Sequence, residues 1–108
     1  RIGLKGDFVA QANEVRNDMD IPTSIMQIAA SRVLKKHAYS VLLHADPYTF
    51  PKAVDAGLID ELVDEAVFES RIMEKAADLA TVGPPHYGKT KNAYLADDVR
   101  IIKPLIVK

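Results

Sequence analysis

The sequence predicts an α/β fold that is mainly helical, with about three short strands. Apolar residues recur at helical spacing over several stretches, whereas the strand-like runs are short and only partly alternating. Three short strands cannot form a well-shielded sheet on their own, so we expect helices to cover much of the core. The composition, 48% hydrophobic and 27% charged over 108 residues, is that of an ordinary globular protein.

The first part of the chain predicts two strands, a loop and a helix. The runs RIGL and FVAQANEV (8–15) predict brief strands separated by the turn residues Gly6 and Asp7. The polar run RNDMDIP ends in proline and predicts a loop. Thr23 or Ser24 can then cap the helix SIMQIAASRVL through a side-chain hydroxyl.

The middle of the chain predicts a helix, a second short helix and a strand. The run KKHAYSVLLHA (35–45) is amphipathic, and the Asp-Pro pair after it should end the helix. Its apolar stripe is Ala38, Val41, Leu42 and Ala45. In TFPKAVDAGL, Thr49 is a candidate N-cap, Pro51 lies in the first turn, and Gly57 can adopt the left-handed conformation that ends a helix. The run IDELV, which follows at once, is the third predicted strand.

The last part predicts two longer helices joined by a loop. The run VFESRIMEKAADLATVG (67–83) repeats apolar residues at helical spacing and ends in glycine. The run GPPHYGK predicts a loop. Residues 90–108 predict a final helix that ends near Pro104, because proline has no backbone N–H to continue the helical hydrogen bonds.

Composition excludes several classes of function. The chain has no cysteine, which excludes a disulfide scaffold, a thiolate nucleophile and a cysteine zinc site. A formal net charge of −1 leaves no basic excess to neutralise phosphates, so we expect no nucleic-acid partner. No apolar run reaches the ~20 residues that span a bilayer, and these residues do not open with a cationic leader and an apolar segment. We therefore expect a cytoplasmic protein without a membrane partner. The abrupt start at RIGLKG, without methionine, suggests a piece of a longer protein.

Glu14 is the first candidate for chemistry. It is predicted to follow an apolar strand and to enter a polar loop, so its carboxylate can face a cavity and exchange protons there. The alternative interpretation is a surface glutamate at the end of a strand.

The histidines and serines form weaker patterns. His37, His44 and His86 lack the spacing of metal ligands, so no metal site is predicted. Ser40, His44 and Asp46 could form a Ser–His–Asp arrangement, but no nucleophile-elbow sequence surrounds the serine.

The run GPPHYGKTK is a candidate phosphate contact. It carries Lys89 and Lys91, but its glycines do not have the spacing of a Walker loop. The alternative interpretation is a connector between helices whose lysines are solvated.

The order of these segments resembles the C-terminal half of the crotonase superfamily, the enoyl-CoA hydratase/isomerase family. FVAQANEV, a loop and a proline are followed by PYTFPKAVDAGLIDELVDEA, a long helix and a terminal helix that starts with KTK. The stretch KAVDAGLIDELV is the most telling. In this family an alanine-rich helix ends in GLV or GLI, and an acidic residue and a hydrophobic strand follow. The resemblance covers residues 1 to about 104.

This resemblance implies a fold and a set of partners. The fold would be a crotonase-type ββα spiral, with residues 1–65 in the C-terminal part of the spiral core and residues 66–108 in a helical trimerisation region. The partners would be an acyl-CoA thioester, the N-terminal half of the same subunit, and further copies in a homotrimer or hexamer. Coenzyme A would arrive as part of the substrate, and no metal or redox cofactor is implied.

The resemblance also assigns roles to residues. Glu14 matches a catalytic glutamate of the hydratases, which implies a general acid/base for an enoyl-CoA hydratase or isomerase. Lys89 and Lys91 lie in the terminal helix, where the family often places a basic residue near the phosphates of CoA. The two backbone N–H groups that stabilise the thioester enolate, and a second glutamate, would lie upstream of Arg1.

The segment after Glu14 departs from the family. Many hydratases carry a PGAGGT-like loop, whereas this chain has RNDMDIPTS and keeps only Pro22. A divergent or inactive homologue, or a non-catalytic helical protein-interaction module, is therefore the alternative interpretation. A glycine-rich segment before Arg1 would favour the enzyme, and a natural start codon there would favour the module.

Overall fold

The computed structural model describes residues 1–106. Strands and α-helices follow in the order β1 (Ile2–Leu4), β2 (Val9–Ala10), α1 (Thr23–Ala30), β3 (Tyr48–Thr49), α2 (Phe50–Asp55), β4 (Glu61–Val63), α3 (Phe68–Ala80), α4 (His86–Tyr94) and α5 (Ala96–Ile106). Single 3₁₀ turns occur at Val15–Asn17, Lys35–His37 and Glu65–Val67, and one π-helical turn occurs at Tyr39–Leu43. The fold is mainly helical, as predicted, and over this range it has four short strands where about three were expected.

The strands form two separate pairs. β1 and β4 run parallel, with Gly3 opposite Leu62. β2 and β3 run antiparallel, with Ala10 opposite Tyr48. β2 is shorter than the predicted strand over 8–15. In the antiparallel register the residue after Ala10 would face Pro47, which has no backbone N–H to donate to the ladder.

Helix α2 has the predicted start and end. The Thr49 hydroxyl accepts the backbone N–H of Lys52 at 3.4 Å, and Gly57 adopts a left-handed φ of 82°. The Gly57 N–H donates to the Val54 carbonyl and the Leu58 N–H donates to the Ala53 carbonyl, each at 3.0 Å. This pair of bonds is a Schellman motif, which satisfies carbonyls at the helix end and turns the chain toward β4.

The core lies between the π-helical turn, β3 and α2. Its buried residues are Val33, Val41, Leu42, Tyr48, Ala53 and Ala56. The segment predicted as one helix over 35–45 is instead a 3₁₀ turn followed by a π-helical turn. Its predicted apolar stripe is confirmed all the same, since Val41, Leu42 and Ala45 are buried and Ala38 packs against the core.

Helix α1 starts where expected, but its predicted cap is wrong. Pro22 occupies the N-cap position without a side-chain hydrogen bond, and Thr23 is the first helical residue. The helix also ends at Ala30, before Leu34, because the next residues turn toward the core, where Val33 is buried.

Helix α3 confirms the predicted amphipathic helix and is fastened to β4. Arg71 Nη2 lies 2.9 Å from Glu61 Oε1, and Arg71 Nε also donates to that carboxylate at 3.0 Å. The hydrogen bond and charge of Glu61 raise the pKa of Arg71 above its usual value. This two-donor contact holds the first turn of α3 against β4.

The end of the chain differs from the prediction. GPPHYGK was expected as a loop, but α4 begins at His86, because Pro85 precedes it at a position that needs no N–H donor. The predicted single helix over 90–108 is interrupted at Leu95, whose φ of −96° and ψ of 6° separate α4 from α5. α5 continues through Pro104 to Ile106, where proline costs only a hydrogen bond of the last turn. Residues 107–108 of that predicted helix lie outside the described residues.

The last helix returns to the first. α5 packs against α1, where Gln27 Nε2 donates to Asp98 Oδ1 at 2.7 Å. The boundary at residue 65 between a spiral core and a trimerisation region stays a prediction. Among the described residues, we find no helix with both the length and the apolar character needed to cross a membrane.

Candidate functional site

Glu14 lies in the segment between β2 and α1. β2 ends at Ala10, so Glu14 does not end a strand as predicted; it directly precedes the 3₁₀ turn Val15–Asn17. Its carbonyl accepts the N–H groups of Asn17 at 2.9 Å and Met19 at 3.0 Å. The backbone of Glu14 is therefore held by two hydrogen bonds of its own turn.

The Glu14 side chain has one buried oxygen. Oε2 is shielded from solvent and has no hydrogen-bond partner within the described part of the chain. A buried carboxylate oxygen without a donor is costly, and such groups are rare in folded proteins. The oxygen can therefore accept a proton, or a hydrogen bond, from a group that enters the site.

Residues 44–46 form a corner that contacts the Glu14 turn from both sides. Before Glu14, the Gln11 amide donates to the Ala45 carbonyl at 2.8 Å. After Glu14, Arg16 Nε donates to the His44 carbonyl at 2.8 Å, and Arg16 Nη2 lies 2.7 Å from Asp46 Oδ1. The charge of Arg16, which the sequence places close to Glu14, is thus paired with Asp46.

Ser40, His44 and Asp46 are brought together, but not as a catalytic triad. The Ser40 hydroxyl donates to Asp46 Oδ2 at 2.7 Å, and His44 Nδ1 lies 3.8 Å from the same oxygen. A nucleophilic serine would instead need its hydroxyl against the histidine. The Ser40 hydrogen bond, followed by the charge of Arg16, holds the pKa of Asp46 below its usual value. Asp46 is therefore a charged anchor at neutral pH.

The other histidines do not form a metal site. His37 Nδ1 lies 2.9 Å from the buried Tyr48 hydroxyl, which gives it a structural role. His86 lies at the start of α4, away from both other histidines in sequence. Residues 1–106 contain no group of three or more His, Asp or Glu side chains that could hold a metal ion.

A second feature is an open groove of about 1010 Å³ between α4 and the turns at residues 31–32 and Gly57. Arg32, Tyr87, Lys91 and Tyr94 are among the residues that line it. The Lys91 ammonium lies 5.9 Å from the centre of the Tyr87 ring. Neither Lys89 nor Glu14 is among the lining residues, so the structure separates the predicted lysine pair and places Glu14 elsewhere.

Solved structures of known proteins match 96% of this chain. An enoyl-CoA isomerase from Mycobacterium tuberculosis is 28% identical with a TM-score of 0.88, and an enoyl-CoA hydratase from Mycobacterium marinum is 27% identical with a TM-score of 0.88. The predicted likeness to the crotonase superfamily is confirmed. The chain has a crotonase-type fold. An enoyl-CoA hydratase/isomerase family protein from Pseudomonas syringae, 23% identical with a TM-score of 0.90, supports that fold alone.

The crotonase-type chain spans less than half the length of these structures. It covers 46% of each mycobacterial protein and 45% of the Pseudomonas protein. This share is consistent with the predicted correspondence to the C-terminal half. No protein-family model matches the chain, and no curated protein matches it either.

Sequence patterns do not identify Arg16 and Gln11 as residues of this site. Their partners Asp46 and Ala45 lie 30 and 34 positions away, so no local spacing connects them. The Asp-Pro pair at 46–47 predicts the end of a helix, and it is the local sequence signal that could have indicated a turn at residues 44–46.

Proposed function

We propose that this chain is part of an acyl-CoA-handling enzyme of the crotonase type, an enoyl-CoA hydratase or isomerase, in which Glu14 is the general acid/base. The observation that carries the proposal is the buried, unpaired Oε2 of Glu14 in a fold shared with enoyl-CoA hydratases and isomerases. Assembly as a homotrimer or hexamer and a cytoplasmic location belong to the same proposal and rest on the resemblance.

Either reaction needs a carboxylate that takes and returns a proton. In hydration, the oxygen of a water molecule bonds to C3 of a 2-enoyl thioester and a proton is delivered to C2, so the product has gained one water. In isomerisation, a proton leaves C2 of a 3-enoyl thioester and one returns at C4, which moves the double bond. Glu14 is proposed for this transfer. The resemblance assigns the oxyanion-stabilising N–H groups to a glycine-rich segment that is not among these 108 residues.

The groove beside α4 is proposed for the nucleotide end of CoA. Its lining combines the cationic Lys91 with the aromatic rings of Tyr87 and Tyr94. A phosphate is attracted by an ammonium group, and an aromatic ring offers a face on which a base can stack. Arg32 is held by both oxygens of Asp60 at 2.9 Å, so Lys91 is the cation more available to a ligand.

The decisive experiment is Glu14→Gln in the full-length natural protein, assayed with a 2-enoyl-CoA and a 3-enoyl-CoA. Glutamine keeps the shape of the side chain but cannot exchange the proton. Turnover should fall by about 10²–10⁴-fold, while the affinity for CoA stays near that of the wild type.

Two nearby carboxylates are the matched controls. Asp18 and Asp20 are exposed and lie in the same unusual loop, and Asn tolerates the left-handed φ of 54° at position 18. Asp18→Asn and Asp20→Asn should keep full turnover. If one of them abolishes activity while Glu14→Gln does not, the residue assignment is wrong. If none of the three substitutions lowers turnover, the acid/base residue is not in this segment. That result would favour the alternative interpretation of a non-catalytic interaction module.

A further inference from the structure

We infer that Arg16 is the positioning residue for Glu14: it ties the turn that carries the glutamate to the corner at residues 44–46. The inference rests on the proposed role of Glu14. From the sequence alone, Arg16 is only a charged residue in a predicted polar loop.

Arg16 attaches the turn to the corner through two directed contacts. Arg16 lies two residues after Glu14 and makes two directed contacts with the corner, through Nε to the His44 carbonyl and through Nη2 to Asp46 Oδ1. Two donors of one planar guanidinium fix both the distance and the orientation of the turn, which a single ammonium contact cannot do. Gln11 secures the chain on the other side of Glu14.

The corner at residues 44–46 is itself held by burial and by hydrogen bonds. Ala45 is fully buried and adopts a left-handed φ of 52°, which directs the His44 and Ala45 carbonyls toward the Glu14 turn. Asp46 uses its second carboxylate oxygen for the Ser40 hydroxyl, and its N–H donates to the Ser40 carbonyl at 3.0 Å. Arg16 therefore pairs with a carboxylate whose orientation is already restrained.

The Arg16 contacts affect the position of Glu14 more than the overall stability of the protein. The Arg16 side chain is 56% exposed, and exposed ion pairs add little to the free energy of unfolding. The 3₁₀ turn after Glu14 is only three residues long, so without Arg16 it is held by its own backbone bonds and by Gln11. A small displacement of a catalytic carboxylate can cost up to about 100-fold in rate.

The test is a double-mutant cycle in the full-length protein. The probe is the short substrate that the wild type turns over, a 2-enoyl-CoA or a 3-enoyl-CoA, and the readout is the loss or gain of the conjugated double bond. Arg16→Gln should lower kcat by about 10- to 100-fold with little change in KM or Tm. Arg16→Lys keeps the charge but not the two-donor geometry, so its kcat should lie between those of the wild type and Arg16→Gln. In a Glu14→Gln background, Arg16→Gln should lower kcat no further, because the group that it positions is gone.

The control is Arg100→Gln, since Arg100 makes a similar ion pair with Asp97 at 2.8 Å on an exposed face of α5. It should leave kcat unchanged. An equal loss from Arg16→Gln in both backgrounds, or no loss at all, overturns the inference while leaving the role of Glu14 intact. If Glu14→Gln itself has no effect on turnover, both proposals fail. If Arg16→Gln does not fold, Arg16→Lys and Asp46→Asn replace it in the cycle. A loss of kcat only where Glu14 is present supports the inference, and an equal loss in both backgrounds, or none, overturns it.

Discussion

Glycine at position 57 is required by two features at once. Its φ of 82° is in the left-handed region, and a Cβ added there would lie 2.8 Å from the Arg32 carbonyl. That carbonyl belongs to the backbone, so it cannot move aside as the end of a flexible side chain could. The same segment donates the Leu34 N–H to the Ala56 carbonyl at 2.8 Å, which holds it close to the turn.

Gly57→Ala should therefore destabilise the protein by about 2–4 kcal/mol, from the left-handed backbone and the close contact together. The measurement is urea unfolding of the full-length variant beside the wild type. Gly88→Ala is the matched control, because no heavy atom lies within 4 Å of the added Cβ and the site is inside α4. Alanine there should stabilise by roughly 0.5–1 kcal/mol. Equal effects at the two positions would contradict this account of the turn.

Helix α4 carries two lysines that the sequence does not distinguish and that the tertiary structure does. The sequence marks Lys89 and Lys91 as equivalent candidates for a phosphate contact. On a helix, residues two apart point about 200° away from each other, so both cannot face one ligand. The structure places Lys91 in the groove with Tyr87 and Tyr94 and leaves Lys89 off its lining.

Lys91→Ala should weaken CoA binding by up to about fivefold at low ionic strength, and less at physiological salt, because an exposed charge contact is screened. Lys89→Ala, on the other side of the same helix, should leave the affinity unchanged. Calorimetric titration of CoA into the full-length protein across a salt series measures both. Loss of affinity from Lys89→Ala alone would mean that the groove is not where CoA binds.

At the scale of the whole molecule, the chain exposes more surface than a self-contained protein of its size. Its accessible area is 8005 Å², whereas a folded monomer of 11.9 kDa is expected to expose about 5,900 Å². Its radius of gyration is 16.0 Å, against about 13 Å for a compact domain of this length. Large apolar side chains stay exposed on α3 and α5, including Met73, Leu79, Val99 and Ile106.

The 108 residues expressed alone should therefore self-associate or melt without cooperativity. The excess of roughly 2,000 Å² is enough for more than one standard protein interface, and both strand pairs have open edges. Analytical ultracentrifugation and thermal unfolding, with the full-length protein as the reference, test this directly. A monodisperse monomer with a cooperative transition would contradict it.

Features that depend on neighbouring residues can be predicted from the amino-acid sequence alone. The Thr49 cap, the left-handed Gly57 turn, the apolar stripe at Val41, Leu42 and Ala45, and the amphipathic α3 all follow from local spacing or from backbone preferences. The order of these segments was enough to predict the crotonase-type fold. Glu14 was identified as a candidate by its position and by the resemblance.

The remaining features could not be predicted, because they depend on contacts that join distant parts of the chain. α4 and α5 are separated at Leu95, and α5 packs against α1, at the other end of the chain. The sequence of 90–108 has no glycine that would indicate this break. The burial of Glu14 Oε2 and the attachment of Arg16 to Asp46 depend on a turn meeting a corner 30 residues away. Hydrogen bonds of this kind follow from the path of the backbone through space, which no local periodicity encodes.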